Sequence, residues 1–185
     1  MRKAKDCIFI VAISYMLIIL FLIMHLFIIK KPYIELKTPQ VVKDSYNVLK
    51  MEIETIKNKE CKAAVSDLLA KSIINSYDGK VSINKLYDYI APVNVTEDYD
   101  IINKKCNISP SKVSEYNIDN KYLDMMTLRQ AMVSNYFYQY ELSFHDELSR
   151  EYYDNLTKVS YNTLKYTETE LLENYIRIIG GCHEN

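Results

Sequence analysis

The stretch from Cys7 to Ile29 limits the architecture of this chain more than any other, because it is an unbroken apolar run without a charged side chain. As a helix it would measure about 34 Å at about 1.5 Å per residue, and the hydrocarbon core of a bilayer is about 30 Å thick. Basic residues flank it on both sides: Arg2, Lys3, Lys5, Lys30 and Lys31. The pattern predicts a transmembrane helix over residues 7–29.

This run lacks the marks of a cleaved signal peptide, which has an apolar region of about 7–15 residues and a small-residue cleavage site. Lys30, Lys31 and Pro32 follow it instead. We therefore expect a retained, single-pass signal anchor, with residues 1–6 as a cytoplasmic head and the C-terminal domain outside the cytoplasm, as in a bacterial inner-membrane protein with a periplasmic domain. Both flanks carry similar positive charge, so the positive-inside rule leaves this orientation weakly specified.

The segment after the run, residues 30–40, contains Pro32 and Pro39, which would interrupt a helix. It is predicted to be a stalk. The domain that follows, residues 41–185, is poor in turn residues, since the whole chain has only three glycines and four prolines. A turn-poor chain favours helices over a many-stranded sheet. We therefore expect an all-α fold with a compact multi-helix domain.

Local patterns divide this domain into helices. From Val41 to Tyr77 apolar residues recur at spacings of three and four, with a charged stretch at residues 57–62 that either separates two helices or is a solvated turn of one. A turn is predicted at Asp78–Gly79, and Ser82 and Ser109 are predicted helix caps. Pro110 would occupy the first helical position after Ser109.

The C-terminal part is predicted to hold the longest helix. Residues 119–166 contain no glycine or proline and keep a helical period of apolar residues, although the Thr- and Asn-rich stretch 155–166 is a candidate break. Thr167 and Glu170 fit a capping box, which predicts a last helix from Glu168 to Ile179 that ends at Gly180–Gly181.

Cysteine usage predicts one disulfide. Cys7 lies at the membrane edge, which leaves Cys61, Cys106 and Cys182 in the domain. In an oxidising compartment one bridge and one unpaired thiol is the simplest outcome, and we favour Cys61 with Cys106. Cys182 could instead pair with Cys61 or bridge two subunits, and a cytosolic domain with reduced thiols is the alternative.

No motif indicates catalysis or a bound cofactor. Glu141 and His145 lie four residues apart, but no serine or cysteine is placed as a nucleophile and no glycine-rich turn could form an oxyanion hole or a phosphate loop. Close pairs of cysteines or histidines suited to zinc are absent from the sequence. The formal net charge of −1 does not favour nucleic-acid binding. We predict a protein without enzymatic activity, metal or cofactor.

The chain has 17 tyrosines, many of them near its C-terminal end. On one helical face they would belong to the core, whereas off that face they would be exposed and suited to an interface, because tyrosine buries a large area at low entropic cost. Both interpretations stay open. The predicted partner surface consists of Tyr136, Tyr138, Tyr140, Tyr152 and Tyr153.

One family resemblance covers Asn135 to Ile178. The run YFYQYELSFHDELSREYYDNLTKVSYNTLKYTETELLENYIRI resembles the helical segment of VirB8-like inner-membrane components of type IV secretion systems, which also carry a short cytoplasmic head and one N-terminal span. The resemblance implies a secretion-system component. It also implies a curved antiparallel sheet after the helical segment, for which residues 179–185 supply no strands.

The leading hypothesis is a non-enzymatic, membrane-anchored interaction protein that is a component or accessory of a cell-envelope assembly. Its expected partners are one or more unidentified proteins and the membrane itself, through residues 7–29; a homo-oligomer is an open alternative. A second hypothesis is a tethered periplasmic immunity or inhibitor protein that neutralises an exported toxin.

Overall fold

The computed structural model describes residues 14–20, 33–82, 85–86, 95–142 and 147–181. The chain divides into two compact units, Met1–Tyr33 and Ile34–Asn185. In the first unit, residues 14–20 are helical with exposed side chains. The other residues of the predicted span 7–29 lie outside the described part of the chain. Within that described part, no helix combines the length and the apolar character that a membrane crossing requires.

Helices make up most of the second unit, which confirms the predicted all-α class. In chain order the elements are β1 (Tyr33–Lys37), α1 (Gln40–Glu54), α2 (Lys59–Ile74), β2 (Asp78–Ser82), α3 (Val95–Lys105), α4 (Pro110–Glu115), α5 (Ile118–Leu142) and α6 (Glu147–Gly181). Strands β1 and β2 pair in a two-stranded sheet, which the sequence did not predict.

Strand β1 lies inside the segment interpreted as a stalk. Its side chains alternate between solvent and the core, as the two-residue period of a strand requires. Ile34 and Leu36 are each only 1% exposed. Pro32 and Pro39 therefore bracket a short strand that packs on the domain. The two nearby prolines favoured the interpretation as a stalk, and the alternation of exposed and buried side chains covers only five residues.

A short break separates α1 from α2, and a side-chain cap begins α2. Helix α1 ends at Glu54, and Asn58 begins α2 by accepting hydrogen bonds from the backbone amides of Glu60 and Cys61 at 3.0 and 3.2 Å. The charged stretch 57–62 thus separates two helices, as one of the two predicted alternatives required. Further along, the cap at Ser109 and Pro110 in the first turn are confirmed.

The C-terminal region forms two long helices. The prediction of one helix over residues 119–166 is wrong, because α5 ends at Leu142 and α6 begins at Glu147. The capping box is also wrong, since Thr167 lies inside α6 and its Oγ1 donates to the carbonyl oxygen of Thr163 at 3.0 Å. With 35 residues, α6 is about 52 Å long.

A single hydrophobic core joins these elements. Helices α5 and α6 pack against each other, and the C-terminal half of α6 also packs on α1. The largest fully buried apolar side chains are Ile34, Leu36, Leu49, Leu86, Ile102, Met125, Met132, Tyr161, Leu164, Leu171 and Tyr175. Residues 161–179 of α6 thus hold the centre of the domain.

Candidate functional site

The structure pairs Cys61 with Cys106, which confirms the favoured disulfide. The bridge ties the first turn of α2 to the end of α3, with the two Cα atoms 4.6 Å apart. Beside it, Lys105 Nζ lies 2.5 Å from Glu60 Oε2 in an exposed ion pair. Cys182, the third candidate, lies outside the described residues.

Three of the five predicted surface tyrosines come together on α5 and α6. The ring of Tyr138 stacks on that of Tyr153 with the centroids 5.5 Å apart, and Tyr152 meets Tyr153 edge to face at 5.3 Å. Tyr138 and Tyr152 are 53% and 60% exposed, although both are large aromatic residues. We call Tyr138, Tyr152 and Tyr153 the tyrosine patch.

The other two predicted tyrosines, Tyr136 and Tyr140, are not included in the tyrosine patch. Tyr136 is half-buried, and a partly buried tyrosine on α5 is more consistent with packing than with a partner surface. The side chain of Tyr140 lies outside the described residues. The core and surface interpretations therefore each hold for part of the tyrosine cluster.

The patch lies on the less covered half of α6. Between residues 148 and 160 only Thr157 is buried, whereas buried residues recur at nearly every turn from 161 to 179. The α5–α6 hairpin therefore presents the patch beyond the main core, where it is accessible to another protein.

The core beneath this hairpin contains a buried charged triad. Lys165 Nζ donates to Glu168 Oε2 at 2.9 Å and to the backbone oxygen of Ser72 at 3.2 Å. Arg129 Nη2 donates to the other carboxylate oxygen, Oε1, at 3.1 Å. The side chains of Lys165 and Glu168 are 0% and 4% exposed. The triad thus links α6 to α5 and to α2.

Burial and charge determine the pKa values within the triad. Burial alone would raise the pKa of Glu168, but the charges of Lys165 and Arg129 outweigh it and hold that pKa below its ordinary value. Burial lowers the pKa of Lys165, and the carboxylate of Glu168 opposes this only in part. We expect this triad to fix the position of the helices, because another register would separate its buried charges.

Tyr161 forms a second polar node under the sheet. Its hydroxyl accepts a hydrogen bond from the backbone amide of Tyr77 at 2.7 Å and lies 2.8 Å from Thr38 Oγ1. Thr38 gives its one hydroxyl proton to the carbonyl oxygen of Tyr77, so Tyr161 must donate to Thr38. This node ties the residues next to β1 and β2 to α6.

A shallow groove runs between α1 and α6. One depression of about 430 Å³ and a neighbouring one of about 260 Å³ share Ser45 and Glu173. Their walls pair Val41 with Tyr166 at one end and Glu52 with Arg177 at the other, so the two helices run in the same direction along the groove.

Neither catalytic nor metal-binding geometry emerges from the described residues. The side chains of Glu141 and His145 lie outside them. Among the described side chains, no group of three or more histidine, cysteine or acidic residues is arranged to hold a metal ion.

Sequence reasoning missed the triad, although a signal for it was present. Lys165 and Glu168 fall on the same helical stripe as Tyr161, Leu164 and Leu171, all of which are buried. A charged pair on an otherwise apolar stripe predicts buried ions. The third member, Arg129, comes from another helix, so its participation could not be read from the sequence.

Comparisons with known proteins found no counterpart: no family model matches the chain, and no curated protein or solved structure matches it. Its function must therefore be inferred from its own residues. Among the predicted site residues, the tyrosine patch is the arrangement that favours a binding role.

Proposed function

We propose that this protein is a membrane-tethered, non-enzymatic interaction protein of a cell-envelope assembly, and that its tyrosine patch binds a protein partner. The observation that carries the proposal is the contact of two exposed tyrosines with the half-buried Tyr153, on which Tyr138 stacks and which Tyr152 meets edge to face. Residues 7–29 provide the tether.

The chemistry of the patch supports this function. A tyrosine ring contributes a large contact area with few rotatable bonds, and its hydroxyl forms hydrogen bonds at the rim of an interface. Stacking on Tyr153 restricts the ring of Tyr138 before any partner arrives. Binding then loses less side-chain entropy than it would with an isolated surface tyrosine.

The disulfide supports a location of the domain on the exported side of the membrane. Bridges such as Cys61–Cys106 form and persist in oxidising compartments, whereas cytosolic thiols are kept reduced. A protein held at the outer face of the membrane by one helix is well placed to recruit or position an exported partner.

We expect Tyr138→Ala with Tyr153→Ala to weaken capture of the partner at least tenfold, because truncation of central interface aromatics commonly costs about 2 kcal/mol or more. The measurement is quantitative co-purification of the full chain from solubilised membranes. Tyr33→Ala is the matched control, since Tyr33 is 49% exposed on β1.

The same experiment separates this function from its alternatives. Equal capture by the double variant and the control would refute the patch as the binding surface. A captured exported toxin would assign the protein to the immunity class instead. Circular dichroism of the double variant must first show unchanged helicity.

A second expectation concerns sidedness. In intact cells a membrane-impermeant maleimide should label Cys182, because we place the C-terminal domain outside the cytoplasm. Cys61 and Cys106 should react only after reduction and unfolding, since they form the disulfide. Labelling of Cys182 only after the membrane is permeabilised would place the domain in the cytoplasm.

A further inference from the structure

The solvent face of α6 carries an apolar row whose side chains are largely exposed. Its four large apolar members are Leu148, Tyr152, Val159 and Tyr166, exposed by 76%, 60%, 62% and 48%. They continue from the uncovered half of the helix to the edge of the α1–α6 groove, over about 27 Å.

This row lies opposite the buried face of the same helix. At about 100° per residue, Val159 and Tyr166 point about 120–160° away from Tyr161, Leu164 and Leu171, which belong to the core. Helix α6 therefore has two apolar faces. A surface helix that packs against one core needs only one of them.

The spacing of the outer row is that of a coiled coil. Tyr152, Val159 and Tyr166 are separated by seven residues each, and Leu148, Asn155 and Asn162 fill the alternate positions of the same heptads. Asn155 is exposed and Asn162 half-buried. A polar asparagine in such a row selects one register and partner number at some cost in stability. We call these six residues the outer seam.

We propose that the outer seam packs against the outer seam of a second copy of this chain, with the two α6 helices antiparallel. The charges beside the seam select this occupant. Glu151 and Lys158 lie one heptad apart on the same edge, and both reach solvent. An antiparallel pair centred between residues 154 and 155 brings Glu151 of each copy beside Lys158 of the other, and the part of the outer seam from Leu148 to Val159 then packs on the same part of the second copy. In a parallel pair the edge that carries Glu151 and Lys158 would face Leu156 and Thr163 of the other copy, so neither charge would meet an opposite charge.

This self-association goes beyond the proposed function and shares only Tyr152 with the tyrosine patch. The residues that test it, Glu151, Lys158 and Val159, are not part of the patch. Loss of self-association and loss of partner capture are therefore separable: the variants used here leave Tyr138 and Tyr153 unchanged.

The test exchanges charges between copies of the full chain in detergent micelles. Either Glu151→Lys or Lys158→Glu alone turns both ion pairs of the dimer repulsive, so each variant should self-associate about tenfold more weakly in sedimentation velocity runs. Mixing the two differently tagged variants creates a heterodimer with two attractive pairs, and co-purification of the tags should recover. Asp154 lies one turn before Lys158 on the same chain, and this recovery excludes an effect within one chain.

A second variant tests the apolar part of the seam. Val159→Lys should weaken the dimer by more than tenfold, whereas Val48→Lys, at an exposed valine on α1, should leave it unchanged. Circular dichroism should show equal helicity in all variants. The proposal is overturned if the wild-type chain is monomeric at high concentration, if Val159→Lys dimerises as well as Val48→Lys, or if the mixed charge variants associate no better than each alone.

Discussion

Replacing Glu168 by glutamine should lower the free energy of unfolding by about 3–5 kcal/mol, the usual cost of breaking a buried ion pair by removing one partner. The carboxylate of Glu168 is the only anion of its triad and accepts hydrogen bonds from both Lys165 and Arg129. Glutamine keeps the shape but removes the negative charge that both buried cations face.

Replacing Lys165 by methionine should cost less than Glu168→Gln. Arg129 would still neutralise Glu168 at 3.1 Å, and the desolvation that lowers the pKa of Lys165 would be relieved. The backbone oxygen of Ser72 would keep the hydrogen bond that it accepts from Ser76 Oγ at 2.8 Å. Comparing the losses in the free energy of unfolding of the two variants therefore shows whether the triad depends more on the charge of Glu168 or on that of Lys165.

Urea unfolding of the full chain, followed by circular dichroism, measures both variants. Glu115→Gln is the matched control, because Glu115 forms an exposed ion pair with Lys112 at 2.8 Å. This variant should lose no more than about 1 kcal/mol in the free energy of unfolding. A Glu168→Gln loss as small as that of the control would mean that the triad does not hold the helices together.

Acid titration gives an independent readout of the same carboxylate. The folded-state pKa of Glu168 lies below its ordinary value of 4.5, so the unfolded chain binds the proton more readily. The stability from this group is fully present above about pH 4.5 and is lost as pH falls through the lower folded-state pKa. The wild-type protein should therefore lose more stability than Glu168→Gln below pH 4.5.

Removing the disulfide should cause the other large loss of stability. Cys61 and Cys106 are 45 residues apart, and closing a loop of that length stabilises a protein by about 4 kcal/mol in the chain-entropy model. The double variant Cys61→Ser with Cys106→Ser should unfold about 10 °C below the wild type in a thermal scan.

Two controls identify the bridge as the cause. A reductant should lower the melting temperature of the wild type to that of the double variant and leave the variant unchanged. Cys182→Ser, at the third candidate cysteine, should melt like the wild type. If the reductant leaves the melting temperature of the wild type unchanged under unfolding conditions, the Cys61–Cys106 bridge is not the source of this stability.

Features set by nearby residues were predictable from the sequence. The asparagine cap that begins α2, the cap at Ser109 and the helical class all depend on side chains within a turn of the backbone that they stabilise. The favoured cysteine pair was predictable because few cysteines were available. No glycine or proline marks the end of α5 at Leu142 or the start of α6 at Glu147, so residue propensity gave no signal for these boundaries.

Features that depend on distant residues were not predictable. Strand β1 is stabilised by pairing with β2 and by burial of Ile34 and Leu36, and its five residues contain too little pattern to show this. Surface tyrosines could be predicted as a group. Which of them stack depends on the register of α5 against α6, which joins Tyr138 to Tyr153 across 15 residues of chain.

Site-specific photo-cross-linking in intact membranes tests the central claim most directly. A photoreactive phenylalanine analogue replaces Tyr138 in one sample of the full chain and Tyr33 in another, and mass spectrometry identifies the products. The account predicts a cross-link from position 138 to a different protein at the exported face of the membrane, and none to that protein from position 33. Identical products from both positions, or no protein product from position 138, would contradict it.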